Sequence, residues 1–184
     1  MAERLVTERL VLRSWHPDDA EPALGVFGDA EVARWLSPAM DRVLDASSMR
    51  LLLQQWTAED SRLIPPTGRW AIESKADQSL VGGAVILPLP PGNLDLEMGW
   101  QLHPAAWGRG YATEAGRALA TWAFTQNVDE ILAVVRPTNS RAAATVGRLG
   151  MEWVGETDKY YDLRLQVYRL RPADLDPTPL PRNP

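Results

Sequence analysis

Hydrophobic and polar residues alternate with a period of two over residues 93–102, the clearest such pattern in this chain of 184 residues. We predict a strand there, with one apolar and one polar face. The apolar face comprises Leu94, Leu96, Met98, Trp100 and Leu102. The polar face comprises Asp95, Glu97, Gly99 and Gln101.

The rest of the chain divides into shorter patterns. Alternating or continuously apolar runs predict further strands over residues 7–15, 69–74, 80–87, 130–135, 151–156 and 160–170. Apolar residues at helical spacing predict helices over residues 18–27, 45–59, 111–126 and 139–149. This order of elements implies a mixed α/β (α+β) fold, with a mostly antiparallel sheet of about seven strands flanked by about four helices. A strand–helix–strand crossover over residues 93–135 supplies one parallel pair.

Composition sets further limits. The absence of cysteine removes disulfides, thiolate metal sites and a cysteine acyl-enzyme. His16 and His103 each precede a proline and lack ligand spacing, so we expect no metal site. The first ten residues carry charge and no apolar run approaches the ~18 residues of a membrane span, so we expect a cytoplasmic protein without membrane contact. Residues 172–184 contain five prolines and predict an extended or disordered tail behind a single domain over 1–171.

The segment Trp107–Ala115, with the sequence WGRGYATEA, is the strongest candidate for a binding site. Its two glycines precede a predicted helix, and a helix N-terminus presents unpaired N–H donors that suit an anion such as a phosphate. A plain turn before a helix gives the same pattern. The phosphate-loop sequence GxxxxGK[ST] is absent, and Thr113 stands where a dinucleotide fingerprint needs its third glycine.

Arginines are concentrated in the part of the chain that follows this loop, although the net charge of −5 argues against a nucleic-acid partner. They are Arg109, Arg117, Arg136, Arg141 and Arg148. Some of them are expected on solvated helix faces. The others suit a small polyanionic ligand.

Several of these segments together resemble the GNAT N-acetyltransferase superfamily. The glycine loop resembles its [QR]xxGx[GA] motif, and NSRAAATVGRLGM, starting at Asn139, resembles its second signature. The phrases TERLVLRSWHPDDA, GYATEA and YYDLRLQVYRL are similar to the RimJ/RimL-like branch. The resemblance covers about residues 5–171 and implies a GNAT-like sheet that is splayed between its fourth and fifth strands.

This resemblance implies acetyl-CoA as acyl donor. Its pyrophosphate is expected on the N–H groups of Gly108–Ala112, its pantetheine arm along the backbone of Gln101–His103, and Asn139 at the arm. The implied cofactor-binding residues are Gln101, Leu102, His103, Trp107, Gly108, Arg109, Gly110, Tyr111, Ala112, Thr113, Asn139 and Arg141. Two positions depart from the family pattern: Trp107 replaces Gln or Arg, and Val146 stands where many members place a tyrosine that protonates the leaving thiolate.

The implied reaction is direct attack of an amine on the thioester in a ternary complex. Glu97 is our first candidate for the general base, unless it is only a solvent-facing or ion-paired carboxylate; His103 is the second, unless it only forms a turn. Tyr160 could replace the missing tyrosine or simply pack. A backbone N–H near Met98–Gly99 is expected to stabilise the carbonyl oxygen. The expected acceptor-site residues are Trp35, Glu97, Tyr160 and Tyr161.

The acceptor stays open at this point. The resemblance favours an N-terminal α-amine of a protein or peptide, which requires an open groove. A small-molecule amine, such as an antibiotic or a metabolite, requires a closed pocket. A non-catalytic acyl-CoA-binding domain is a third alternative, because Val146 removes the usual acid. A homodimer is frequent in the resembled branch and is expected here as well.

Overall fold

Eight strands form one sheet within residues 2–92 and 95–175, the part of the chain that the computed structural model describes. Adjacent strands are antiparallel except for one parallel pair, β5 with β6, so the predicted mixed sheet is confirmed. The order across the sheet is β1-β2-β3-β4-β5-β6-β8-β7. The strands are β1 (Leu5–Val6), β2 (Leu10–Ser14), β3 (Gly68–Ser74), β4 (Leu80–Pro88), β5 (Leu96–Leu102), β6 (Ile131–Val135), β7 (Glu152–Thr157) and β8 (Leu165–Leu170).

Helices cover both faces of this sheet, and each face has its own apolar cluster. The described residues form α1 (Ala20–Phe27), α2 (Ala30–Leu36), α3 (Ala46–Asp60), α4 (Tyr111–Phe124), α5 (Ser140–Leu149) and α6 (Pro172–Leu175). On one face α4 and α5 pack on the sheet, where the rings of Trp70 and Trp122 lie 5.5 Å apart. On the other, α1, α2 and α3 bury an aromatic cluster of Trp15, Phe27 and Trp56. Within the described residues, none of the helices has the length and apolar character needed to cross a bilayer.

The parallel pair is open along most of its length. The register of β5 with β6 is limited to Glu97 opposite Leu132, whereas β4 pairs with β5 without interruption from Gly82–Leu102 to Pro88–Leu96. The two central strands therefore diverge beyond Glu97. This is the predicted splay, and it leaves one backbone edge of β5 without a partner strand among the described residues.

The helix α2 was not predicted from the sequence. It has only seven residues, and its clearest start signal is Asp29, whose carboxylate accepts hydrogen bonds from the N–H groups of Glu31 and Val32 at 2.8 and 3.1 Å. Trp35, which lies outside every element that we predicted, is on this helix. The sequence did not indicate the helix because one apolar turn is too short to establish a period.

The last predicted strand, residues 160–170, begins only at Leu165. Tyr161 and Asp162 have φ values of +57° and +52°, a left-handed conformation that a strand cannot contain. Tyr160 and Tyr161 therefore lie in the connection before β8, not on the strand.

The chain termini also differ from expectation. The predicted strand 7–15 is shortened to β2, because residues 7–9 turn back to pair β1 with β2. Residues 172–175, predicted as part of an extended tail, form the short helix α6. The predictions for Leu94 and for residues 176–184 lie outside the described residues.

Candidate active site

Two cavities meet at the splayed edge of β5. The first, of about 750 Å³, lies between this edge, the glycine loop and the start of α5. The second, of about 510 Å³, lies on the face of the sheet covered by α1, α2 and α3. Both cavities are lined by Trp35, Leu36, Glu97, Gly99, Gln101, Val134, Val135, Asn139 and Ala142. A ligand in one cavity can therefore reach a ligand in the other beside Glu97.

The glycine loop presents backbone donors to the first cavity. Gly108 and Gly110 have φ values of +75° and +78°, which is the left-handed region where a side chain is strained. Between Trp107 and Glu114, no backbone N–H finds a protein acceptor within the described residues; the Glu114 N–H resumes the helical pattern by donating to Gly110 O at 3.0 Å. The open N–H groups lie at the positively polarised end of a 14-residue helix. This cradle suits a diphosphate.

Glu114, on the first turn of α4, holds the loop in place from behind. Its carboxylate accepts from Thr7 Oγ1 at 2.6 Å and from the backbone N–H and Nε of Arg9 at 2.8 and 2.6 Å. Arg9 also donates from Nη1 to the carbonyl of Arg109 at 2.9 Å, and its guanidinium lies 4.8 Å from the Tyr111 ring centroid. The N-terminal segment thus braces the cradle, a role that local patterns in the sequence did not indicate.

We expect Glu114→Ala to weaken acetyl-CoA binding several-fold without removing it, because the loop loses its brace but keeps its donors. Calorimetric titration measures this affinity. A matched control is Glu31→Ala, which removes an exposed partner of Arg34 in α2. Wild-type affinity in Glu114→Ala would show that the cradle needs no support from the N-terminal segment.

Trp107 and Arg141 form a stacked pair in the first cavity. The Arg141 guanidinium lies 3.6 Å from the Trp107 ring centroid, and Trp107 Nε1 donates to Leu102 O at 3.0 Å. The tryptophan that departs from the family motif thus joins α5 to the end of β5. Arg109, Arg141 and Arg148 all line this cavity, whereas Arg136 lines the second and Arg117 lines neither.

Asn139 lies at the junction of the cavities as the N-cap of α5. Its Oδ1 accepts from the Ala142 N–H at 3.1 Å, which fixes the side chain at the start of the helix. Val146, about two helical turns further along α5, is fully buried in the core and lines neither cavity. Position 146 therefore supplies no hydroxyl group to the first cavity.

Alternation along β5 decides which backbone groups face the splay. Asp95 O accepts from Leu89 N, and His103 N donates to Val81 O at 2.9 Å, so odd-numbered residues of β5 direct their backbone groups at β4. The backbones of Trp100 and Leu102 face the open side instead. Within the expected pantetheine segment Gln101–His103, the backbone of Leu102 therefore faces the open side, and within the expected pair Met98–Gly99 that of Met98 does. The Gln101 side chain still lines both cavities.

Glu97 is the carboxylate at the meeting point of the cavities. Its Oε2 accepts a hydrogen bond from the Tyr161 hydroxyl at 2.8 Å, and the side chain is half-buried where the two cavities meet. Burial raises the pKa of Glu97 to about 7, against the smaller opposing effect of the Tyr161 hydrogen bond. The same burial, with the carboxylate beside it, raises the pKa of Tyr161. A carboxylate with this pKa can accept a proton near neutral pH.

Two candidates from the sequence lie away from this point. His103 lines neither cavity; its Nδ1 accepts from the Ala105 N–H at 3.1 Å and its ring packs against Gly25. The Tyr160 hydroxyl donates to Asp95 Oδ2 at 2.6 Å in a separate apolar cluster, and Tyr160 also lines neither cavity. The turn reading of His103 and the packing reading of Tyr160 agree with these contacts. Trp35, Tyr161 and Glu97 are brought together at the second cavity.

Comparison with known proteins agrees with this architecture. The profile of the acetyltransferase (GNAT) domain matches residues 9–152. An uncharacterised N-acetyltransferase of Bacillus licheniformis, p20, is 29% identical over 154 residues, which are 83% of this chain and 84% of that protein. The crystal structure of an acetyltransferase from Agrobacterium tumefaciens is 26% identical, with a TM-score of 0.73 over 93% of this chain and 95% of the other.

The same fold is found in the branch that the sequence motifs resemble. RimJ of Mycobacterium smegmatis, solved in complex with CoA-disulfide, has a TM-score of 0.76 at 21% identity, over 90% of this chain and 83% of the other. The domain profile covers most of the residues that build the sheet, the glycine loop and both cavities. This chain belongs to the GNAT acetyltransferase family.

Proposed function

We propose that this protein transfers the acetyl group of acetyl-CoA to a primary amine, in a ternary complex formed where the two cavities meet. The observation that carries the proposal is Glu97, a carboxylate with a pKa of about 7 that lies on the wall shared by both cavities. One cavity then holds the acyl donor and the other holds the amine.

The first cavity suits acetyl-CoA. The open N–H groups from Gly108 to Thr113 can hold its diphosphate, and a Cβ at Gly108 would meet nothing within 4 Å, so the loop has free space in front of it. The β6-facing N–H and C=O of Trp100 and the N–H of Leu102 can pair with pantetheine amides as an added strand would, whereas the Leu102 carbonyl already accepts from Trp107 Nε1. Arg109, Arg141 and Arg148 supply positive charge along the same wall. Acetyl-CoA bound this way presents its thioester to Glu97.

Residues of this chain carry out the proton transfer and stabilise the charge on the carbonyl oxygen. Glu97 takes a proton from the acceptor ammonium, directly or through water, and the freed amine nitrogen attacks the thioester carbon. A β6-facing N–H of the segment 98–100 stabilises the charge on the carbonyl oxygen. A nitrogen–carbon bond forms and the carbon–sulfur bond breaks, which leaves the acetylated amine and a thiolate. A thiol with a pKa near ~8.5 leaves more easily than an amine, so Val146 is compatible with turnover.

We expect Tyr161→Phe to move the pH dependence of kcat to higher pH. The Tyr161 hydroxyl lowers the pKa of Glu97, so its loss raises that pKa above about 7 and leaves less ionised base at neutral pH. The rate at pH 7 should fall several-fold and recover above pH 8. A pH profile of kcat tests this. An equal loss of rate at every pH would assign Tyr161 a structural role only.

Release of CoA thiol from acetyl-CoA, measured over a panel of amines, tests the proposed function. A product heavier than the amine by one acetyl group should accompany the thiol. Acetyl-CoA binding without any thiol release would instead indicate a non-catalytic acyl-CoA-binding domain.

The location of the protein and its oligomeric state stay predictions. A cytoplasmic location and a homodimer were inferred from the sequence and from its resemblance to the RimJ/RimL-like branch. Light scattering during size-exclusion chromatography measures the second.

A further inference from the structure

We infer that the acceptor is a small primary amine with an aromatic or branched apolar body, and not the N-terminus of a protein. This inference rests on the proposed function and concerns the second cavity. That cavity, of about 510 Å³, lies within the range of ~300–1,000 Å³ typical of small-molecule sites.

The walls of the second cavity are largely aromatic and aliphatic. Trp15, Phe27 and Trp56 contribute rings whose centroids lie 5.3 to 6.0 Å from one another, so these three support each other as a fixed wall. Trp35 and Leu52 close the side formed by α2 and α3. Burial of an apolar body against these rings is favourable, and their faces also attract an ammonium group.

Of the two carboxylates that line this cavity, Glu59 and Glu97, only Glu97 has no ion-pair partner among the described residues. Arg69 is already bonded to Glu59 and Asp60 at 2.8 and 2.5 Å, and Gln55 donates to Glu59 at 2.8 Å. Arg136 donates to the Ser37 carbonyl. Glu97, in contrast, has no cation at ion-pair distance among the described residues; only the Tyr161 hydroxyl bonds to it. A ligand that brings a cation to Glu97 pairs this carboxylate, and the buried Nε1 of Trp35, which has no partner among the described residues, can donate to one acceptor on the ligand.

A peptide acceptor would place polar backbone groups in the second cavity that find few hydrogen-bond partners there. Each buried peptide unit needs a partner for its N–H and its C=O, and a buried polar group without one is unfavourable. The polar side chains along the far wall are engaged with each other, so they offer few free partners. An arylalkylamine carries one polar group, the amine itself, and places it at Glu97.

The test compares acceptors on the full chain with acetyl-CoA. We expect kcat/KM for 2-phenylethylamine to exceed that for ethanolamine by about 10- to 100-fold, the ratio that burial of one phenyl group supplies. A polar hexapeptide that begins with alanine should lie at or below ethanolamine. Preference for the peptide or for ethanolamine would overturn the inference and leave acetyl transfer intact. If none of the three acceptors gives thiol release from acetyl-CoA, the proposed function is overturned instead.

Binding tests the cavity without turnover. Leu52→Trp fills the cavity from α3, whereas Leu51→Trp adds the same group at a neighbouring position that is 66% exposed and lines neither cavity. We expect calorimetry with the CoA complex to show 2-phenylethylamine binding in the wild type and in Leu51→Trp, and at least tenfold weaker binding in Leu52→Trp. Acetyl-CoA affinity should be unchanged in both variants, which controls for folding. Absence of phenylethylamine binding to the wild type, or equal binding to both variants, would overturn the inference.

Discussion

Glu97→Gln is expected to lower kcat by about 100-fold or more, within the ~10²–10⁴-fold range of a general base, with little change in acetyl-CoA affinity. The amide keeps the shape of the side chain and can still contact Tyr161, but it cannot accept the proton of the ammonium. Because the diphosphate cradle lies elsewhere on the loop 108–113, donor binding does not depend on this carboxylate. Steady-state kinetics and calorimetry on the same preparation separate the two effects.

If Glu97 is the general base, the rate must depend on pH in a defined direction. In the wild type the rate should rise as pH increases through about 7, because Glu97 must be ionised to act as base and burial has raised its pKa to that value. In Glu97→Gln this limb should be absent. A variant that keeps the wild-type pH profile would exclude Glu97 as the base.

Asp95→Asn is the matched control for Glu97→Gln. Asp95 lies two residues earlier, but its carboxylate is bonded to Lys159 and Tyr160 and lines neither cavity. These contacts lower the pKa of Asp95, Lys159 contributing most. We expect this variant to keep the pH limb near 7 and most of the rate.

Gly110→Val is expected to weaken acetyl-CoA binding by at least tenfold. Gly110 has φ +78°, and a branched side chain in the left-handed region is strained by roughly 1–3 kcal/mol. An added Cβ would also lie 3.4 Å from Arg9 Nη2, so a longer side chain presses on the brace of the loop. Relief of the backbone strain, or of the contact with Arg9, turns the N–H groups of the cradle away from the diphosphate.

Gly150→Val separates this effect from strain alone. Gly150 ends α5 with φ +81°, nearly the same conformation, but lines neither cavity. Both variants should lower the melting temperature, and only Gly110→Val should lose acetyl-CoA affinity. Equal affinities in the two variants would contradict the assignment of the cradle.

The sequence predicts the sheet and the glycine turn before α4 well because local signals determine both. Alternation over residues 95–102, glycines before a helix and an asparagine cap at residue 139 each act within one element. The short helix α2 and the left-handed turn at Tyr161 carry no period, so the sequence did not indicate how Trp35 and Tyr161 reach the second cavity. Tertiary packing positions both.

The features of the site that the sequence left open have the same origin. Glu97 could be placed on a strand face from the sequence, but its burial follows from three helices and a loop that are distant along the chain. The choice between the backbones of Gln101 and Leu102 depends on the register with β4, which alternation alone leaves undetermined by one residue. The brace between Arg9 and Glu114 joins positions 105 residues apart.

A crystal structure of the complex with CoA tests the central claim most directly. We predict diphosphate oxygens within hydrogen-bond distance of the backbone nitrogens between Gly108 and Thr113, and the CoA sulfur at the splay beside Glu97. A diphosphate bound elsewhere, or a sulfur on the far side of β5 from Glu97, would contradict the account.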